Sequence, residues 1–98
     1  MPKKPETLFK ERIRPFLDNI PNSWWFKTQQ LSTLGIPDFI GCVRGKFVAL
    51  ELKRDQKEAS KRHALQRHVL QCIVKAGGYA AFLYPENQDE ILEQVRSL

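Results

Sequence analysis

The strongest constraint in this chain is a pair of β-prone runs, Asp38 to Val43 and Lys46 to Arg54, separated only by Arg44-Gly45. A glycine in a two-residue connection between such runs marks a tight hairpin. Side chains alternate along a strand, and this sorts the second run into two faces. Val48, Leu50 and Leu52 fall on one face and are core material. Ala49, Glu51 and Lys53 fall on the other, which puts an acid and a base side by side next to a residue too small to cover them. Because a hairpin folds back on itself, Asp38, at the start of the first run, approaches Glu51 across the ladder.

The flanking sequence builds an α/β unit around this hairpin. Residues 6–19 read as a helix with Leu8, Ile13, Phe16 and Leu17 as its apolar stripe, and Pro15 as a point where it kinks or shortens. Pro21-Asn22 then makes a turn. Ser23 to Gln30 is a strand rich in aromatic residues, followed by a loop over Leu31 to Gly35. Trp24 and Trp25 point to opposite faces, so at least one belongs to the core; the other is available to stack on an unpaired base or to bury in a dimer interface. Asp55 to Glu58 leads into a helix for which Ser60 offers an N-cap. Leu65, Val69, Cys72, Ile73 and Ala76 form its stripe, and Gly77-Gly78 ends it. Tyr79 to Tyr84 is continuously apolar, as expected of a strand covered on both faces, and Pro85 stops it. A last helix over 89–96 buries Ile91, Leu92 and Val95. The order α-β-β-β-α-β-α predicts one domain over residues 1–98, a mixed sheet flanked by helices.

With 42% hydrophobic and 28% charged residues the chain has the composition of a globule rather than of a disordered segment. Sixteen Lys and Arg against 11 Asp and Glu leave a net charge of +5, which favours an anionic partner, nucleic acid first and an anionic membrane surface second. No apolar run approaches the ~20 residues of a membrane helix. The opening MPKKPETLFKER carries no apolar stretch of the secretory kind, so an intracellular protein is expected. Cys42 and Cys72 are too few for a disulfide framework and read as buried free thiols. Cys72 and His68 stand four apart on a helix but lack the companion motif of a zinc site.

Two carboxylates converging at a strand end make a hard, oxygen-rich site suited to Mg²⁺, and a neighbouring lysine can neutralise a phosphate oxygen or position a water. A bare E-x-K tripeptide is common on solvated strands. Here it follows Gly35-Ile36-Pro37-Asp38 after twelve intervening residues, between an acidic helix and a basic one. That arrangement resembles the PD-(D/E)xK nuclease superfamily and, within it, stand-alone VRR-NUC (virus-type replication-repair nuclease) domains, with similarity to Holliday junction resolvases and to phage-encoded members. The resemblance implies a restriction-endonuclease-like αβββαβα core and a Mg²⁺ cofactor for which Mn²⁺ substitutes. It implies metal ligation by Asp38, Glu51 and the Leu52 backbone carbonyl, with Lys53 orienting the water and stabilising developing charge. Glu11 resembles the acid that many members contribute from the first helix; a solvated residue beside Lys10 and Arg12 is its other reading. Gln66 resembles the glutamine that follows the E-x-K strand in VRR-NUC domains, against a plain solvent-facing glutamine.

Lys27, Arg44, Lys46, Arg54, Lys57, Lys61 and Arg62 are then candidates for contacts to the phosphate backbone, each also readable as a solvated charge. His63 and His68 offer a general base that a carboxylate-metal mechanism does not require. The expected activity is Mg²⁺-dependent endonucleolytic hydrolysis of DNA, with a homodimer placing two sites about a twofold axis on branched DNA such as a junction. Two alternatives stay open. One is a nuclease-like fold that grips DNA without cutting it, and the other is an interaction protein whose basic surface docks an acidic partner.

Overall fold

The computed structural model describes residues 2–29 and 34–98. The elements are α1 (Pro5–Asp18), β1 (Ser23–Lys27), β2 (Phe39–Val43), β3 (Lys46–Leu52), α2 (Gln56–Ala59), α3 (Ala64–Lys75), β4 (Tyr79–Leu83) and α4 (Gln88–Arg96), with a 3₁₀ turn over Pro85–Asn87. Apart from α2 and the 3₁₀ turn, this is the expected αβββαβα order. The end of the first predicted strand at Gln30 and most of the loop after it lie outside the described residues.

One sheet runs in the order β1-β2-β3-β4. The first three strands form an antiparallel meander, and β4 pairs parallel to β3, so the sheet is mixed. A parallel return needs a crossover, which α2 and α3 supply. The hairpin turn closes as the sequence predicts: Arg44 (φ 47°) and Gly45 (φ 88°) are both left-handed. A two-residue loop with that backbone matches the natural twist of paired strands.

Helix α1 begins at Pro5 with Glu6 in its first turn, both favourable at a helix start. Its buried face is Phe9, Ile13 and Leu17, four residues apart each time, whereas Leu8 and Phe16 are exposed and do not belong to the core stripe. The helix continues through Pro15 to Asp18 without a break. Its apolar face packs with Trp25, Phe39, Leu50 and Leu83 of the sheet and with Ile91, Leu92 and Val95 of α4. Trp25 lies so close over Gly41 that a Cβ there would sit 2.4 Å from the indole, which makes glycine a packing requirement of the β1–β2 pair.

The opposite sheet face is covered by α3 only over β3 and β4. Several expectations change on this side. Ser60 does not cap α3; it closes α2, whose N-cap is Asp55 accepting from the Glu58 N–H at 2.8 Å. Helix α3 starts at Ala64, after His63 in a left-handed conformation. Its anchor is Leu70, while Leu65, Cys72 and Ala76 of the predicted stripe face solvent. Strand β4 is an edge strand, mostly half-buried rather than covered on both faces. Both cysteines are free and exposed, because Cys42 lies on the uncovered part of the sheet and Cys72 on the outer side of α3. On that uncovered part Trp24, Cys42 and Phe47 stand in register, with Trp24 stacked on Phe26. Among the described residues, no helix is long and apolar enough to cross a membrane.

Candidate metal centre

The β2–β3 register decides what meets at the open end of the hairpin. Phe39 pairs with Leu50, so one further step sets Asp38 opposite Glu51. Three contacts fix Asp38 there. Its Oδ2 accepts the Leu52 N–H at 2.8 Å, its carbonyl accepts the Thr28 N–H at 2.9 Å, and the buried Thr28 hydroxyl donates to the carbonyl of Pro37. On the other side of this segment Gly35, at φ 75°, lies against Leu65 of α3, where a Cβ would come within 2.7 Å of its side chain. The Gly-Ile-Pro-Asp stretch is therefore held from β1, β3 and α3 together.

Glu51 is 2% exposed, and its Oε1 is enclosed without a hydrogen-bond partner among the described residues. Its Oε2 lies 3.9 Å from the Lys53 ammonium, itself 6% exposed. The same ammonium stands 5.9 Å above the Phe82 ring, which pairs with Glu51 across β3 and β4. Burial pushes the Glu51 carboxyl up to about 9, helped by the adjacent Asp38 carboxylate and opposed in part by Lys53 and Lys10. Glu51 is thus a neutral acid at pH 7 in the metal-free protein.

Helix α1 adds two side chains that were not singled out from the sequence. Lys10 Nζ lies 3.0 Å from Asp38 Oδ1 and 3.9 Å from Glu6 Oε1. Burial lowers the Lys10 pKa, but the hydrogen bond and charge of Asp38, with Glu6 and Glu51, outweigh it and hold it above the ordinary lysine value. Glu6, Asp38 and Glu51 each offer a carboxylate oxygen, all within 4.8 Å of one another. Glu11 takes no part in this cluster. It is exposed, paired with Lys3 at 2.6 Å, and lines the cavity beside the cluster together with Lys10 and Lys27. At 100° per residue, positions 6, 10, 13 and 17 share one side of a helix, whereas 11 points about 200° away from 13. That periodicity was the available signal for Glu6 over Glu11.

The other expected residues divide. Because the N–H and C=O of a strand residue point to the same edge, the Leu52 carbonyl lies toward β2, as its N–H does. Gln66 is half-buried on α3 with its Oε1 enclosed and unpartnered. Lys27 lines a cavity beside the cluster. Arg44 is committed elsewhere: its guanidinium donates to the carbonyls of Leu98 at 2.9 Å, Pro21 at 3.0 Å and Arg96, which ties the hairpin turn to the end of α4. Arg54 and Lys61 pair with Glu58 at 3.5 and 2.9 Å, and Lys46, Lys57 and Arg62 are exposed. His63 Nε2 contacts the Glu58 carbonyl at 2.7 Å, and His68 contacts Cys72 Sγ at 3.6 Å on the outer side of α3.

The donor set of the cluster is all oxygen, which suits Mg²⁺ or Mn²⁺ and not a thiolate-seeking metal. An enclosed carboxyl oxygen without a partner is costly unless something else satisfies it, and a cation that displaces the Glu51 proton would do so. The residues present therefore fit a divalent cation. No family model, curated protein or solved structure matches the chain.

Proposed function

We propose that the protein is a Mg²⁺-dependent endonuclease that hydrolyses phosphodiester bonds of DNA, in keeping with the resemblance of Gly35-Ile36-Pro37-Asp38 and Glu51-Leu52-Lys53 to PD-(D/E)xK nucleases. The observation that carries the reading is the enclosed Glu51 Oε1, unpartnered among the described residues, beside Asp38, with the other Glu51 oxygen 3.9 Å from the Lys53 ammonium. Asp38 and Glu51 hold the cation, with Glu6 and the Leu52 carbonyl as further oxygen donors. Bound there, Mg²⁺ supplies positive charge that polarises a phosphoryl oxygen and makes a nearby water more acidic. Asp38 is oriented for this by the Leu52 N–H. Lys53, buried beside Phe82, holds a phosphate oxygen or the attacking water and stabilises the negative charge that grows in the transition state.

The protein acts, in this reading, inside the cell as a homodimer on branched DNA, including Holliday junctions in repair. The uncovered sheet face supports self-association: Trp24 is 62% exposed, with Phe26 and Phe47 exposed beside it and no charged residue between them in register. The test is cleavage of an end-labelled four-way junction beside a linear duplex of matching sequence, with Mg²⁺, with Mn²⁺ and with chelator. Metal-dependent cuts near the branch, by a protein that sediments as a dimer, are expected. Junction binding without cleavage under every metal condition would instead make the fold a DNA-gripping module.

A further inference from the structure

A cavity of about 320 Å³ opens between α1 and β1, lined by Lys10, Glu11, Arg14, Pro15, Lys27 and Phe39. It has roughly ten times the ~30 Å³ that one water occupies in the liquid, enough for a phosphate and part of a sugar. Three of its six lining residues are cationic. Two of the lining charges are already answered, since Glu11 pairs with Lys3 at 2.6 Å and Arg14 with Asp18 at 3.1 Å. Lys27 has no ion-pair partner among the described residues, and Lys10 is shared with the metal centre through its 3.0 Å contact to Asp38. What remains is a positive pocket in need of an anion, joined to an acidic cluster by one flexible side chain.

We propose that this cavity is a phosphate subsite, in which Lys27 and Lys10 hold a backbone phosphate of the strand whose neighbouring phosphodiester lies at the metal centre. This deepens the nuclease reading and rests on it. The two lysines are point charges on long stems, suited to an anion whose oxygens are presented from several directions. Lys10 also couples the two sites. Without a metal its ammonium neutralises Asp38; a divalent cation among Glu6, Asp38 and Glu51 takes over that role and repels it. Lys10 already lines the cavity, so the released ammonium has a phosphate to turn to. Metal and phosphate then strengthen each other's binding, and by the same factor in both directions.

The experiment is an NMR titration of the 98-residue chain with methyl phosphate and with dimethyl phosphate, in chelator and in Mg²⁺, following the lysine side-chain and Glu51 carboxyl resonances. Both probes are expected to shift Lys27, with Mg²⁺ tightening the binding by about fivefold or more. Lys27→Met, which keeps the stem and so the packing, is expected to weaken it about tenfold, the loss of one charge-assisted hydrogen bond. Lys10→Met is expected to weaken it only when Mg²⁺ is present. A diester bound at least as well as the monoester assigns an internal backbone phosphate, and a preferred monoester assigns a strand end; either supports the subsite. If Mg²⁺ moves Glu51 while neither probe moves Lys27, the subsite is wrong and the metal centre stands. If Mg²⁺ leaves Glu51 unmoved as well, both fall together.

Discussion

The two ends of the β2–β3 hairpin gather charge in opposite ways. At the turn, Arg44 spends its guanidinium on three backbone carbonyls, those of Pro21, Arg96 and Leu98, and the C-terminal end of α4 gains the cation that a helix end favours. Every contact there serves the fold. At the open end, Asp38, Glu51, Lys53 and Lys10 are crowded together, and Glu51, held neutral by its surroundings, keeps one buried oxygen without a partner among the described residues. A buried group of this kind weakens the fold unless something completes it. The same hairpin thus carries a clamp at one end and an incomplete, ligand-seeking set of charges at the other.

The contrast makes substitutions separable. Asp38→Asn or Glu51→Gln should lower Mg²⁺-dependent cleavage by roughly 10³-fold or more, as loss of a central catalytic group does. Denaturant unfolding of the metal-free variants should show stability equal to or above that of the wild type. A loss of both activity and stability would erase the distinction between the two ends.

Acidity sharpens it further. The Glu51 pKa is raised in the folded state to about 9 from an ordinary carboxyl value, so above that ordinary value the folded state binds a proton the unfolded chain has lost. The stability from this proton is complete below the unfolded pKa and is lost as pH rises through about 9. Metal-free protein should therefore lose stability across that window with a slope of up to about 1.4 kcal/mol per pH unit. Glu51→Gln should flatten the slope when unfolding is followed at several pH values.

Arg44→Ala should cost about 1–2 kcal/mol, the loss of several hydrogen bonds from a charged but exposed donor. Mg²⁺ affinity, measured on the folded variant, should not change. The smallest effect is expected on α1. Glu11→Gln should leave Mg²⁺ affinity unchanged and shift stability by no more than about 0.5 kcal/mol, since it breaks only an exposed ion pair. Glu6→Gln should weaken Mg²⁺ binding followed by calorimetric titration.

The open end was legible in the sequence to the extent that strand geometry dictates it. A period of two and a two-residue turn with glycine leave one register, and that register brings Asp38, Glu51 and Lys53 together. What α1 contributes is set by which helical face meets the sheet, and that face was misjudged. Leu8 and Phe16 look as apolar as Phe9 and Leu17, yet only the latter pair lines up with Ile13. Once the face is fixed, Glu6 and Lys10 follow, while Glu11 falls outside the acidic cluster and lines the neighbouring cavity. Helix α3 was misread for a related reason: Asp55 competes with Ser60 as a cap, and a short helix intervenes before the long one begins. The Arg44 clamp had no local signal, because its partners lie up to 54 residues away.

The nuclease reading requires that Asp38 and Glu51 form a divalent-cation site. Calorimetric titration of Mn²⁺ into wild type and Asp38→Asn at pH 7, in two buffers of different ionisation enthalpy, tests it most directly. One saturable site is expected in the wild type, with about one proton released per metal as Glu51 ionises, and no site in the variant. Equal binding by both proteins, or no binding by either, would contradict it.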